Sequence, residues 1–301
     1  MKALFKVVHP GLCTSIQDAG RHHYQDQGVP VSGAIDQYAY KMSNYLLGND
    51  NVAVIEITMQ ATFKVMNNAT IMITGANLNP TLDGETVPNW CTFPVEKGQT
   101  LRFKGAANGL RAYIGVPLGI RSNSILSSQA TLVGGHMNEK LKKADIVYFT
   151  PNEQELEARK VRSNWIPTYG KKIKVRVLMH IEGNLFDASM METFLGQTYT
   201  VQTGDRMGLR LECNKTIHPM NELDILSEAV SFGTIQIPPN GKPIILLADS
   251  QTTGGYPVIA NVITVDLWKL AQVPMNGKIQ FEAVQLDEAI HLQKEWTELL
   301  I

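Results

Sequence analysis

The sequence predicts a mainly β chain with a few short helices, and three observations carry that reading. Apolar runs of strand length recur between glycines, prolines and polar clusters, as at 70–75 (Thr-Ile-Met-Ile-Thr-Gly), 243–248 (Pro-Ile-Ile-Leu-Leu-Ala) and 258–265. Leu110, Ala112, Ile114 and Val116 alternate with Arg111 and Tyr113, the period of a half-buried strand. Helical signals are confined to short stretches with a capping residue ahead of them.

Composition sets the outer limits. The 301 residues suffice for two ordinary domains, and 44% hydrophobic with 18% charged residues is a soluble globular balance. A formal charge of −1 argues against a nucleic-acid surface or a polybasic membrane patch. No apolar run reaches the length of a membrane span, and the first residues lack a signal-peptide pattern, so a cytoplasmic location is expected. Cys13, Cys91 and Cys213 are odd in number and far apart, which points to small core residues rather than a disulfide framework. The most charged stretch, 151–165, is the best boundary. It divides the chain into a β-rich lobe at 1–150, holding a polar loop at 14–36, and a lobe at 151–301, holding a second at 249–257.

Taken in order, residues 4–8 form a first strand closed by His9-Pro10-Gly11. Residues 14–36 are too polar and glycine-punctuated for a strand or helix, yet carry apolar anchors (Ile16, Tyr24, Val29, Val31, Ile35). An ordered functional loop is expected. Asp36 then caps a helix through Leu47, ended by Gly48-Asn49, with Tyr38, Ala39, Met42, Tyr45 and Leu46 on its buried faces. Glu56 interrupts the apolar run 52–57; it needs a partner if buried, or sits in water at a strand end. Asp83-Gly84 is a hairpin turn. In the second lobe, Lys172–Met179 is a strand and Asp187–Gly196 a capped helix. Leu223–Leu226 leads to Ser227-Glu228, and 233–237 is a strand. Asp266 caps a brief helix, Lys278–Val284 is a closing strand, and Ala289, Leu292, Trp296, Leu299 and Leu300 make a helical stripe.

The segment Asp249-Ser-Gln-Thr-Thr-Gly-Gly-Tyr-Pro257 sets polar groups between two apolar strands. Adjacent glycines can take φ > 0 and leave N–H groups bare for an anion or carbonyl, although a tight self-bonded turn is the alternative. Arg206, beside two glycines, is placed to hold a carboxylate or phosphate. Several chemistries lack their motif. No Gly-x-x-x-x-Gly-Lys-Ser/Thr loop is present, nor a Gly-x-Ser-x-Gly elbow, and no Cys/His spacing suggests a metal. Carboxylates, amides, hydroxyls and glycine backbone suit recognition of a small amide or ureide, with Asp249 and Asp18 as candidate bases and Tyr256 and Tyr24 as donors. This reading expects the Asp18 and Asp249 segments to line a common cleft.

Thr14-Ser-Ile-Gln-Asp-Ala-Gly-Arg21 with Gly28-Val-Pro-Val-Ser-Gly-Ala-Ile-Asp36 resembles the N-terminal signature of the family of 5-oxoprolinase C subunits. That family is also called allophanate hydrolase subunit 2, kinase-inhibitor antagonist or biotin-dependent carboxyltransferase. Leu226-Ser-Glu, Phe232–Gly241 and Ala248–Pro257 are similar to its C-terminal signatures, so the resemblance runs from about Gly11 to Phe281. It implies cyclophilin-like β-barrel lobes and an enzyme active only with partners. With the B-type 5-oxoprolinase subunit (a kinase-inhibitor homologue) and the A-type one, the expected activity is ATP-dependent conversion of 5-oxo-L-proline to L-glutamate. Two alternatives follow from the same resemblance: a carboxyltransferase using carboxybiotin from another chain, or a non-enzymatic antagonist of a sensor-kinase inhibitor. The matched motifs imply site residues Gln17, Asp18, Gly20, Arg21, Tyr24, Gly28, Ser32, Gly33, Asp36, Asp249, Gln251, Thr252, Thr253, Gly254, Gly255 and Tyr256, joined by Arg206 and Gln236. Three places depart from the family pattern. Ser127-Ser-Gln-Ala-Thr131 stands for Gly-Ser-Arg-Ser-Thr, Met59-Gln-Ala61 for Gly-Gly-Pro, and Leu211-Glu-Cys213 for Leu-Glu-Gly.

Overall fold

The computed structural model describes residues 1–152, 156–180, 185–220 and 226–299. The expected lead-in 223–225 and residue 300 of the terminal stripe lie outside them. The chain divides into two compact units. One is Met1–Arg21 with Ser32–Tyr169, the other His22–Val31 with Gly170–Ile301. The boundary in the chain thus falls at Tyr169/Gly170, beyond the charged stretch 151–165.

The first unit is built on two antiparallel sheets. One holds seven strands in the order Ile120–Arg121 (β11), Ile146–Phe149 (β12), Lys2–His9 (β1), Ala61–Val65 (β4), Thr100–Phe103 (β9), Pro80–Leu82 (β6), Glu85–Thr86 (β7). The other holds five: Cys13–Gln17 (β2), Val54–Thr58 (β3), Arg111–Gly115 (β10), Ala69–Gly75 (β5), Cys91–Val95 (β8). One apolar core draws on both, with Phe5, Val7, Phe63 and Phe103 from the first and Ile55, Ile57, Ile71, Ile73, Ala112 and Ile114 from the second. The alternation read in the sequence puts those side chains on one face of each strand.

Three expectations for this unit change. Cys13–Gln17 is a strand, paired in register with β3 from Cys13↔Thr58 to Gln17↔Val54. Its polar residues are tolerated because they are hydrogen-bonded inside the protein. Strand β10 is buried on both faces rather than one. Ala112 and Ile114 enter the core, while the helix Gln37–Leu47 (α1) packs on β5 and β10. A Cβ on Gly115 would lie 2.2 Å from Ser43 Oγ of that helix, so only glycine allows the approach. Tyr45, expected in the buried face of α1, is half exposed. The helix limits stand as read: Asp36 Oδ1 accepts from Ala39 N–H at 2.9 Å, and Gly48 closes the end at φ 69°.

The second unit is a closed seven-stranded barrel. Around it run Lys172–Met179 (β13), Val258–Val262 (β20), Thr234–Gln236 (β17), Ile244–Leu246 (β18), Gly208–Glu212 (β15), Tyr199–Gly204 (β14) and Lys278–Ala283 (β21). Closure comes from the parallel pairing of β13 with β21, which leaves no free edge. Phe194 of the helix Ala188–Gly196 (α2) stacks on Phe281 at 4.7 Å between ring centres. Beyond the short helix Leu267–Gln272 (α3), the terminal helix Leu286–Leu299 (α4) keeps Ala289, Leu292 and Trp296 half-buried. Asp266 does not cap α3. Its buried carboxylate takes Arg176 Nη2 (2.7 Å), Nε (3.0 Å) and backbone N–H (2.8 Å), with Lys269 at 2.8 Å.

Met59 holds φ 66° in the turn between β3 and β4, where the family pattern has glycine. A left-handed conformation costs a side-chain-bearing residue about 1–2 kcal/mol, so Met59→Gly is expected to stabilise the protein by roughly 1 kcal/mol in urea titrations. Burial pushes the Asp266 carboxyl up, but its hydrogen bonds from Arg176 and Lys269 outweigh this and hold it below the ordinary value. A depressed carboxyl stabilises the fold above its unfolded pKa, about 4, and that contribution is lost as pH falls through the folded value. Asp266→Asn is therefore expected to lower stability at neutral pH by roughly 3 kcal/mol and to flatten the stability profile below about pH 4, read by denaturation at a series of pH values.

Candidate functional site

In the first unit, Asp18 ends β2 as an acceptor already satisfied. Its Oδ1 accepts from Gly20 N–H (2.9 Å) and Ser128 Oγ (2.7 Å), and its Oδ2 from Gln129 N–H (2.6 Å). The buried Arg21 donates from Nε to Ile125 O (3.0 Å) and from Nη2 to Ala130 O (2.7 Å). Gln17 Nε2 donates to Ser15 Oγ and to Thr131 O. The segment that departs from the family pattern is thus the strap laced over 17–21. Most of the lacing uses its backbone, and Gln129, standing for an arginine, accepts from Ser122 N–H at 2.6 Å. Asp18 is built as an anchor, with donors occupying both oxygens. Gly33 (φ 81°) is required where it stands, since a Cβ there would lie 2.8–2.9 Å from backbone atoms of Asp18 and Gly20. Ser32 beside it is buried with φ 56°. Tyr24 and Gly28 bound the single helical turn Gln25–Gln27 in the excursion assigned to the second unit.

Asp36 belongs to a network that sequence reasoning missed. Asp36 Oδ2 accepts from Tyr169 Oη (3.0 Å), and the Asp36 N–H donates to Tyr113 Oη (2.9 Å). Tyr113 Oη donates in turn to Glu56 Oε2 (2.8 Å), which also accepts from Ile35 N–H (3.2 Å), with Arg111 Nε 3.8 Å from Glu56 Oε1. All five side chains are buried. Burial, then the neighbouring carboxylates, push the Tyr113 and Tyr169 phenols well above their usual range. The available signal was Glu56, Arg111 and Tyr113 on two otherwise apolar strands.

In the second unit, Asp249 and Arg206 are partners of each other. Arg206 Nε and Nη2 meet the two carboxylate oxygens at 2.9 Å each, both side chains are buried, and Asp249 N–H donates to Arg206 O. The geometry ties the 249–257 loop to the β14–β15 turn, in place of the separate base and anion-holding roles expected of the pair. The glycines also behave differently from expectation, for neither Gly254 nor Gly255 takes a positive φ. Thr253–Gly254 (β19) pairs instead with Glu228–Ala229 (β16), and Val230 N–H donates to Thr252 O. A Cβ on Gly254 would meet Gln236 Nε2 at 2.4 Å, so a larger residue there would displace that amide.

Gln236, Gln251 and Tyr256 come together with Thr203, Asp205 and Arg210 in the lining of one cleft of about 310 Å³, where Gln236 and Arg210 flank Ile244 on neighbouring strands. Gln236 is buried and donates to Tyr256 O (3.3 Å), while Tyr256 and Gln251 are exposed. A second hollow of about 380 Å³ shares Arg210, Ile244 and Tyr256 with it and continues to Lys242. Arg210, which the sequence did not single out, has no ion pair or side-chain hydrogen bond among the described residues. Amide acceptors, amide donors, a phenol and a guanidinium around a small hollow can recognise a planar amide bearing an anionic group.

A family model for the carboxyltransferase domain, subdomains A and B, matches residues 27–283. The chain belongs to the carboxyltransferase-domain family. It is 32% identical over 300 residues to the 5-oxoprolinase C subunit of Escherichia coli, covering 97% of this chain and 95% of that protein. To the Haemophilus influenzae 5-oxoprolinase C subunit it is 35% identical over 288 residues, covering 93% and 91%. The urea amidolyase of Saccharomyces cerevisiae is 30% identical over 96% of the chain, which spans only 17% of that much longer protein. Among solved structures, the K. lactis urea amidolyase superposes with a TM-score of 0.91 over 99% of the chain and 20% of its own, at 24% identity, a likeness of fold. The family resemblance read from the two polar stretches is thereby borne out, and no described helix is long and apolar enough to cross a membrane.

Replacing Asp249 by Asn leaves a buried guanidinium without its counter-charge, a change that costs roughly 3–5 kcal/mol. Thermal unfolding of the isolated chain should show that loss with no substrate present, and Arg206→Lys should show much of it, because an ammonium cannot span both oxygens. A wild-type melting curve for both variants would refute the anchoring role.

Proposed function

We propose that the chain is the C-type component of a cytoplasmic, ATP-dependent 5-oxoprolinase that converts 5-oxo-L-proline to L-glutamate together with the A-type and B-type components. The observation that carries this reading is the small cleft whose lining holds the signature residues Gln236, Gln251 and Tyr256 together with the guanidinium of Arg210. The near full-length similarity to two 5-oxoprolinase C subunits supports it.

An unstrained lactam resists water, so its carbonyl must be activated and the charge developing on its oxygen stabilised. Side-chain amides suit both ends of the group: the oxygen of Gln236 or Gln251 can accept from the lactam N–H, and an amide N–H or the Tyr256 hydroxyl can donate to its carbonyl. Asp249, Arg206 and Gly254 position these groups. Asp18, Gln17, Gly20, Arg21, Ser32, Gly33 and Asp36 hold the shape of the first unit. ATP does not fit the cleft. A triphosphate needs several cations, and the lining of the cleft holds one, Arg210. No step of this reading therefore passes through nucleotide bound to this chain.

The similarity to urea amidolyase favours a second reading, transfer of a carboxyl group from biotin carried by another chain. The two separate cleanly. Reconstituted with the A-type and B-type components, the protein is expected to form glutamate from 5-oxo-L-proline only with ATP, and Gln251→Ala is expected to lower kcat/KM by about 10–100-fold, the worth of a hydrogen bond made in the transition state. Absence of glutamate, together with a biotinylated partner on a streptavidin blot, would transfer the assignment to the second reading. Absence of both, with partner binding intact, would leave a non-enzymatic antagonist.

A further inference from the structure

We propose that Arg210 is a specificity-determining residue that selects ligands carrying a carboxylate next to the amide, an inference that rests on the cleft assignment above. Strand β15 points Leu209 and Leu211 into the barrel core, so Gly208, Arg210 and Glu212 share its outer face. Gly208 has no side chain to fill the space beside Arg210. Glu212, the carboxylate of β15 on that face, is held by Lys242 Nζ at 2.7 and 3.0 Å. Asp205, the acid that lines the cleft, accepts from Met207 N–H (2.7 Å) and Gly208 N–H (3.1 Å) through Oδ1 and so closes its own turn. The guanidinium is left over: it has no ion pair or side-chain hydrogen bond among the described residues, and it lines both hollows at their junction. Across the strand pair its register partner is Thr203, a hydroxyl and not an acid.

A guanidinium in this setting matches a carboxylate with two parallel N–H donors and fixes its orientation. Gln236, Gln251 and Tyr256 line the same cleft, with Gln236 separated from Arg210 by Ile244 on the strand between them, so a ligand holding both groups on one small ring meets amide readers and cation together. A ring without the carboxylate loses one of the two. The arrangement thus distinguishes a cyclic amide acid from the bare lactam, and from neutral ureides.

The test compares 5-oxo-L-proline with 2-pyrrolidinone, the same ring without the carboxylate, by calorimetry and ligand-observed NMR on the full chain. Wild type is expected to bind the acid at least tenfold more tightly; Arg210→Gln should abolish the difference and Arg210→Lys keep part of it. Because Arg210 is exposed and has no partner to strand, all three proteins should melt together. No preference in wild type, a preference that survives Arg210→Gln, or binding of neither probe would overturn the proposal. In the reconstituted enzyme, Arg210→Gln should raise KM for 5-oxo-L-proline at least tenfold with kcat little changed. Turnover with an unaltered KM defeats this inference while the lactamase reading stands. Arg210-dependent preference without any turnover does the reverse.

Discussion

Taking a carboxylate out of water costs several kcal/mol unless donors replace the lost solvent, and this constraint organises both units. Asp18, Asp36, Glu56, Asp249 and Asp266 are all buried, and each is met by a set of donors drawn from distant parts of the chain. Asp18 gathers the strap at 125–131, Asp36 takes the Tyr169 phenol and Glu56 that of Tyr113, Asp249 holds Arg206, and Asp266 holds Arg176 and Lys269. Acids that a motif search flags as reactive are here the fixed points to which loops are tied. In the barrel cleft, by contrast, the Gln251 amide, the Tyr256 phenol and the Arg210 guanidinium make no side-chain hydrogen bond among the described residues.

Much of the fold was legible because burial writes a period into the sequence. The strands at 70–75, 172–179 and 278–284, the helix caps at Asp36 and Asp187 and the turn at Asp83-Gly84 are all local signals, and each stands within one residue of where it was read. What escaped were properties set by neighbours far along the chain. Cys13–Gln17 looked too polar for a strand because the groups that satisfy Gln17 and Asp18 lie more than a hundred residues away. Strand β10 read as half-buried because nothing local announces that α1 covers its second face.

The site was legible as a set of residues but not as a division of labour. Sequence placed Asp249 and Arg206 among the same candidates without revealing that they cancel one another's charge. It favoured Arg206 over Arg210 because two glycines flank it, whereas the deciding fact is which arginine already has a partner. Membership of the carboxyltransferase-domain family gives the frame within which the barrel cleft is read.

The excursion His22–Val31 groups with the second unit although the residues on either side belong to the first. Neither unit is therefore a continuous piece of polypeptide. Separating them after Tyr169 would give one product carrying a foreign strip and another missing a strip of its own, so a gene split there would deliver two incomplete halves. Grafting either half into a longer multidomain chain meets the same difficulty, and the two are expected to travel through evolution as one indivisible cassette.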